Sequence, residues 1–249
     1  MMNRSFPIIV LLSGLIAVAC AEPRHEVSAK STQQALFEII EMGTRPDKHR
    51  ARDQYRHPLD TLTFFGIEPT MTVVEIWPGG QGGFYRRILS PLLEETGHYI
   101  PLVESKTFPA EIEPVKPNSA DLVLVFRAHG FMIYDYPAQD YFNALYKMLK
   151  PGGIFGIVEH RGDEQVPQDP KGKSGYVNQS HVLMLARNAG FKLIATSEIN
   201  ANEKDTKDHP DGLYSLPPTL RGSTFDRSAR KKFLDIGESD RMTLKFQKI

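Results

Sequence analysis

The run Thr72-Val73-Val74-Glu75-Ile76-Trp77 reads as a buried strand carrying one acid, and Pro78-Gly79-Gly80-Gln81-Gly82-Gly83 breaks it sharply. Glycines straight after a strand let the backbone turn tightly and approach a ligand with no Cβ in the way. The helix expected next, from Phe84 to Glu95, would offer unpaired N–H groups and the positive end of its dipole, which suits a carboxylate or a phosphate. The spacing is not G-x-G-x-x-G after a plain strand, and Glu75 lies inside the strand, so the ordinary dinucleotide fingerprint does not apply. The turn reads as the seat of a nucleotide-type cofactor, although a bare structural turn would use the same residues.

Other reactive side chains fall where apolar runs end. Glu104 follows Tyr99 to Val103, Arg127 and His129 follow Leu122 to Phe126, and Glu159-His160-Arg161 follow Ile154 to Val158. A histidine at 129 suits proton acceptance from a nucleophilic group; it suits equally a loop histidine bonded to backbone. Carboxylate, imidazole and guanidinium at 159–161 together would orient a polar substrate. No spacing such as H-x-x-x-H joins His129, His160 and Glu159, so no metal is expected. Trp77, the only tryptophan, either walls the ligand pocket or belongs to the core.

The elements that must position these groups alternate in type. A helix from Thr32 carries Ala35, Leu36, Ile39 and Ile40 on one face and stops at Gly43. The stretch 44–58 is strongly basic (Arg45, Lys48, His49, Arg50, Arg52, Arg56, His57), and a short helix starts at Pro58. This N-terminal extension is expected against one edge of the domain or over the ligand cleft. Then come strand, glycine turn, helix and strand to Val103, and a weak strand near Glu111 to Val115 interrupted by Pro109, Pro114 and Pro117. A strand at Leu122 to Phe126, a helix at Tyr141 to Leu149 and a break at Lys150-Pro151-Gly152-Gly153 follow. Next are a strand at Ile154 to Val158, a helix at Gln179 to Asn188 ending at Gly190, and strands at Phe191 to Ser197 and Met242 to Phe246. Residues 200–240 are polar and give no clear element. The alternation predicts an α/β, doubly wound sheet with helices on both faces. Ligands of such sheets bind beyond the carboxyl ends of the strands, which gathers Trp77 to Gly83, Glu104, Arg127 to Gly130 and Glu159 to Arg161.

V-V-E-I-W-P-G-G resembles motif I of class I S-adenosylmethionine (SAM) methyltransferases, Asp121-Leu122-Val123-Leu124-Val125 their fourth strand, and Leu149-Lys150-Pro151-Gly152-Gly153 the turn before their fifth. More narrowly, R-P-D-K-H-R-A-R-D, E-I-W-P-G-G, F-R-A-H, V-E-H-R and A-G-F-K-L look like a group of exported bacterial methyltransferases of unassigned substrate. The resemblance covers roughly residues 32–199. It implies a Rossmann-like, mostly parallel seven-stranded sheet and SAM as cofactor. Glu75, Trp77, Gly79, Gly80, Gly82, Gly83, Glu104 and Asp121 would then surround that cofactor. Glu75 and the Gly79-Gly80 turn would meet its methionine part, and Glu104 its ribose hydroxyls, which suit a carboxylate acceptor. Gln81-Gly82 is an insertion relative to the narrower group's turn. Arg127, His129, His160 and Arg161 would face the methyl acceptor, an unidentified small or medium-sized molecule. Methyl transfer needs mainly alignment, so the acceptor leaves no motif.

Composition bounds the rest. In 249 residues, 30 Lys plus Arg balance 30 Asp plus Glu, which argues against a nucleic-acid partner. The densest basic patch, Arg227, Arg230, Lys231 and Lys232, reads as a solvated helix face. Residues 1–21 resemble an export signal: a short basic start, an apolar run from Phe6 to Ala19, and small residues after it. The apolar run is shorter than the roughly 20 residues that span a bilayer. Export to the periplasm is therefore expected, with 22–31 as a polar tether and 32–249 as one domain. Export also favours a second reading, a non-catalytic periplasmic ligand-binding protein that retains the fold, because SAM is made in the cytoplasm. Cys20, the only cysteine, stands where a bacterial lipoprotein carries its lipid, although Ala17 occupies the usual Leu position and ordinary cleavage after Ala19 or Ala21 fits the same segment. Fractionation separates these two: lipid attachment predicts that Cys20→Ala releases the chain from membranes, whereas ordinary cleavage predicts that variant and wild type fractionate alike.

Overall fold

A computed structural model describes residues 31–79, 82–104, 107–128, 130, 132 and 136–249. The described chain opens with four short helices, α1 (Thr32–Glu41), α2 (Asp47–Arg50), α3 (Asp53–Arg56) and α4 (Pro58–Phe65). Then follow β1 (Thr72–Ile76), α5 (Arg86–Leu93), β2 (His98–Leu102), β3 (Ala120–Phe126), α6 (Ala138–Met148), β4 (Leu149–His160), α7 (Gln179–Asn188) and β5 (Phe191–Ser197). After a long loop containing a 3-10 turn at Gly212–Ser215, α8 (Arg227–Ile236) and β6 (Arg241–Lys248) complete it. Residues 31–249 form one compact unit.

The strands make one sheet in the order β2-β1-β3-β4-β6-β5. The first four are parallel, and β6 runs antiparallel to both β4 and β5. β1 and β3 lie side by side at Val73↔Leu122 through Ile76↔Val125 and are covered on both faces, which is why both read as nearly continuous apolar runs. Their side chains alternate between two cores, as the two-residue period of a strand requires. Val74, Ile76, Val123 and Val125 join Phe142, Leu145 and Val182 of α6 and α7 on one face. Val73, Leu122 and Leu124 join Leu36, Leu62, Ile88 and Leu89 of α1, α4 and α5 on the other.

The described sheet has six strands, not the seven expected. The missing one is the segment at 111–115, which forms turns and contributes only Ile112 and Val115 to the core. Prolines at 109, 114 and 117 each lack the N–H a ladder needs, so β2 is left as the edge, and it carries Pro101 itself. Lys150-Pro151-Gly152-Gly153 forms an irregularity within β4, between the pairs Ala120↔Leu149 and Leu122↔Ile154, rather than a break ahead of it. The Arg227 to Lys232 patch lies on α8, whose only buried residue is Phe233.

The N-terminal extension is tied down by polar contacts. The Arg45 guanidinium donates to both Asp53 carboxylate oxygens, at 2.8 and 2.7 Å, and to the Ile40 carbonyl at 2.9 Å. Phe65 of α4 lies against β4 where that strand has Gly156. A Cβ there would stand 2.6 Å from the Phe65 ring. Replacing Gly156 by Val should therefore force Phe65 off its seat and cost about 1–3 kcal/mol by overpacking. Thermal unfolding should show a lowered Tm, and an unchanged Tm would mean that α4 does not need this contact.

Candidate functional site

The carboxyl ends of β1, β3 and β4 open onto a cavity of about 430 Å³. At two of these ends the backbone turns in the same way. Trp77, just after β1, donates its N–H to the Leu102 carbonyl at 2.8 Å and has φ +51°. Arg127, just after β3, donates to the Val158 carbonyl at 2.8 Å and has φ +55°. Non-glycine residues rarely adopt this region, bulky ones least of all, and such backbone concentrates at ligand sites because the surroundings must hold it there. Both residues border the cavity. Trp77 is braced edge-on by Tyr141 and Tyr136, with ring centres 5.9 and 6.1 Å away.

The glycine turn is tightly wound on its own backbone. Gly79 has φ +73°, and a Cβ on Gly83 would lie 1.9 Å from the Pro78 carbonyl oxygen, so only glycine fits at 83. Gly79, Gly82 and Gly83 all border the cavity. Gly80, together with Gln81 and His129, lies outside the described residues. Glu75 is almost fully buried, accepts a hydrogen bond from the Tyr99 hydroxyl and faces the same cavity. Burial pushes its carboxyl up to about 7, against the opposing pull of Tyr99, Arg127 and Arg86.

Glu104 lies just past β2, exposed, accepting from the Tyr136 hydroxyl at 3.0 Å. It stands outside the cavity lining and is joined to it through the Tyr136–Trp77 contact. His160, at the end of β4, borders the cavity and shares a short hydrogen bond between its Nδ1 and the Ser239 hydroxyl. Glu159 beside it is wholly buried, accepts from the His160 N–H at 2.8 Å, and is pushed by burial up to about 8.

Two expected site residues are not brought here. Asp121 sits at the opposite end of its strand, near the start of β3, where it accepts from the Thr72 N–H at 2.8 Å and from Lys150 Nζ at 2.6 Å. Burial opposes ionisation there, but Lys150 and Thr72 hold its carboxyl below the usual range. Its role is to tie β1 to the turn inside β4. Arg161 follows His160 and points elsewhere, as alternation along a strand requires. Its guanidinium is held by two carboxylates, Asp240 at 2.8 and 3.0 Å and Glu198 at 2.7 and 2.9 Å.

The sequence pattern did not single out the basic wall of the cavity. Arg52 and Arg56, flanking and ending α3, and Arg241, starting β6, all donate to the buried carboxylate of Glu238, from Arg56 Nε at 3.2 Å. Burial would raise that carboxyl, yet Arg241, Arg56 and Arg52 outweigh it and hold it at about 2. The Arg56 guanidinium also lies over the Phe84 ring, 4.7 Å from its centre. Tyr85 stacks on Phe126 at 3.6 Å and donates its hydroxyl to the Arg56 carbonyl at 3.1 Å. Leu213, Tyr214 and Pro217 to Thr219, from the loop without expected elements, border the same space. The four-residue spacing of Arg52 and Arg56 in a basic stretch was the one available signal. Among the described residues no group of His, Cys, Asp or Glu is arranged to hold a metal ion.

No family model and no curated protein matches the chain. Solved structures do match it in fold. A SAM dependent methyltransferase from Aquifex aeolicus is 14% identical, with a TM-score of 0.51 over 82% of this chain and 98% of that one. Geranyl diphosphate C-methyltransferase from Streptomyces coelicolor A3(2), solved with Mg2+, geranyl diphosphate and S-adenosyl-L-homocysteine, is 12% identical, with a TM-score of 0.51 over 86% and 87%. The [4+2]-cyclase SpnF is 13% identical, with a TM-score of 0.52 over 88% and 97%. The fold is thus the Rossmann-like one of the SAM-dependent methyltransferases, and SpnF shares it under the name of a different reaction.

Glu159 makes a pH prediction. Its carboxyl titrates higher in the folded chain than in the unfolded one, so the stability it contributes is present below about pH 4.5 and lost as pH rises through about 8. Glu159→Gln keeps the shape and stays neutral, so this loss should vanish in the variant. Tm measured from about pH 5 to pH 9 should fall more steeply for wild type. Parallel curves would show that Glu159 titrates as an ordinary carboxylate.

Proposed function

We propose that the chain is an exported SAM-dependent methyltransferase acting on a small or medium-sized acceptor. The observation that carries this reading is that Pro78, Gly79, Gly82 and Gly83, just past β1, border a cavity of about 430 Å³ together with buried Glu75. Gly79, Gly82 and Gly83 bring side-chain-free backbone to the cavity wall, which suits a closely held ligand, and the fold is one that methyltransferases use. In this reading Glu75 and the turn meet the methionine part of SAM, Glu104 takes the ribose hydroxyls, and Trp77 and Tyr136 flank the nucleoside. SAM supplies an electrophilic methyl group. The residues of the chain do the rest: Trp77 and the turn fix the position of the donor, and Arg127 and His160 face the acceptor. With Nδ1 held by Ser239, the His160 ring has a set orientation from which to accept the acceptor's proton. Alignment of donor and acceptor provides much of the rate.

Export and the narrower likeness to exported bacterial methyltransferases belong to the same proposal, with residues 1–21 as the export-signal region; a lipid on Cys20 would require cleavage after Ala19, and cleavage after Ala21 would leave no anchor there. That leader also sustains the second reading, a periplasmic binding protein that keeps the fold without the reaction. Binding decides the first question. Trp77 is the only tryptophan, so its fluorescence reports on the site. SAM or S-adenosylhomocysteine should change that fluorescence and raise Tm, by about 2.7 kcal/mol of stabilisation at a hundredfold excess over Kd. No response at millimolar concentrations would sink the methyltransferase reading, and binding without turnover of any acceptor would favour the second.

A further inference from the structure

The basic wall of the cavity carries more charge than the described residues balance. Arg52, Arg56, Arg127 and Arg241 all border it, and the one strongly ionised carboxylate among them is Glu238. Glu75 and Glu159, the other acids nearby, are both pushed toward the neutral form by burial. The hydrogen bonding is incomplete in the same place. Arg52 Nη2, Arg56 Nη1 and Nη2, and Arg241 Nε are buried with no hydrogen-bond partner among the described residues. Arg56 and Arg241 are each only 2% exposed. Leaving charged donors buried and unpaired costs more than the loss of an ordinary hydrogen bond, so a native chain carries such a set where something else completes it.

We propose that this wall holds a phosphoryl group, a phosphate or diphosphate ester, of the molecule that the site acts on. The inference rests on the methyltransferase reading for the role of that molecule, not for the anion site itself. Four guanidiniums against one carboxylate match a multiply charged anion better than a single carboxylate. The planar fork of arginine meets phosphate oxygens in pairs, and here one fork is already oriented: Arg56 lies over Phe84 with Nε on Glu238, leaving both terminal nitrogens to the ligand. Arg127 approaches from the end of β3, in the left-handed backbone conformation that turns its side chain into the cavity, and its guanidinium makes no hydrogen bond to a described residue. Burial first, and then the charge of Arg127, push Arg56 down to about 8 against the opposing pull of Glu238.

The test uses the purified chain, with inorganic pyrophosphate and phosphate as probes and chloride and acetate at equal ionic strength as comparators. Pyrophosphate should raise Tm most, phosphate less and acetate little, and S-adenosylhomocysteine should leave the pyrophosphate response in place. Arg127→Gln, which breaks no hydrogen bond to a described side chain, should weaken pyrophosphate binding about tenfold to a hundredfold in calorimetry. Arg56→Gln should do the same where it folds. Equal responses to all four anions would overturn the proposal, as would pyrophosphate binding undiminished in Arg127→Gln. Competition between pyrophosphate and S-adenosylhomocysteine would also overturn it, because the arginines would then serve the cofactor's own carboxylate. A specific pyrophosphate response with no SAM response would leave the anion site standing and remove only the methyltransferase reading.

Discussion

The carboxylate of Glu238 joins the two ends of the described chain over the cavity. It accepts from Arg52 and Arg56 near the start and from Arg241 at the first residue of the last strand. A buried ion pair by itself is a doubtful source of stability, because removing charge from water costs as much as the pairing returns. Here the arrangement has a different consequence. With Glu238 removed, three guanidiniums would be left buried together, a far larger penalty than any pair could offset. The helices α2 and α3 are four residues each and have no stability of their own. They are helical because Arg45 grips Asp53 on one side and Glu238 grips Arg52 and Arg56 on the other. The wall of the site thus exists through the same contacts that charge it.

Much of the fold was legible in the sequence, for reasons visible in particular elements. β1 and β3 are covered on both faces and therefore had to read as apolar runs, and α7 spans Gln179–Asn188 as the periodicity predicts, because Gly190 with φ +100° stops it. The seventh strand failed because prolines remove the donors that pairing would use. The rule that ligands gather at strand ends picked out Trp77, Gly79, Gly82, Gly83, Arg127 and His160, which the fold brings to one cavity. It also picked out Arg161, which alternation turns away to Asp240 and Glu198, while Asp121, implied by the family resemblance instead, lies at the start of its strand, away from the cavity. The arginine wall was out of reach for another reason. Arg52 and Glu238 are 186 positions apart, and no local pattern marks a pair that only the closed fold brings together. Residues 200–240 read as formless because the part from Leu213 to Thr219 borders the cavity without a regular element and α8 buries only Phe233, so its helix carries little apolar signal.

The fold alone does not name a reaction, since SpnF shares it with methyltransferases. What narrows the choice is the electrostatics of the cavity. The sulfonium of SAM is a cation, and a cation placed near Arg56, Arg127 and Arg241 is repelled by whatever charge Glu238 does not cancel. An anion seated on those arginines removes that repulsion. Each ligand then binds better in the presence of the other, and by the same factor, because a coupling free energy has no direction. In a cavity built this way a phosphoryl group on the proposed acceptor would tighten the hold on the sulfonium donor, whereas S-adenosylhomocysteine, without that charge, would gain little from it. The arrangement links specificity to commitment: a molecule lacking the anion would meet a site that resists the cofactor as well.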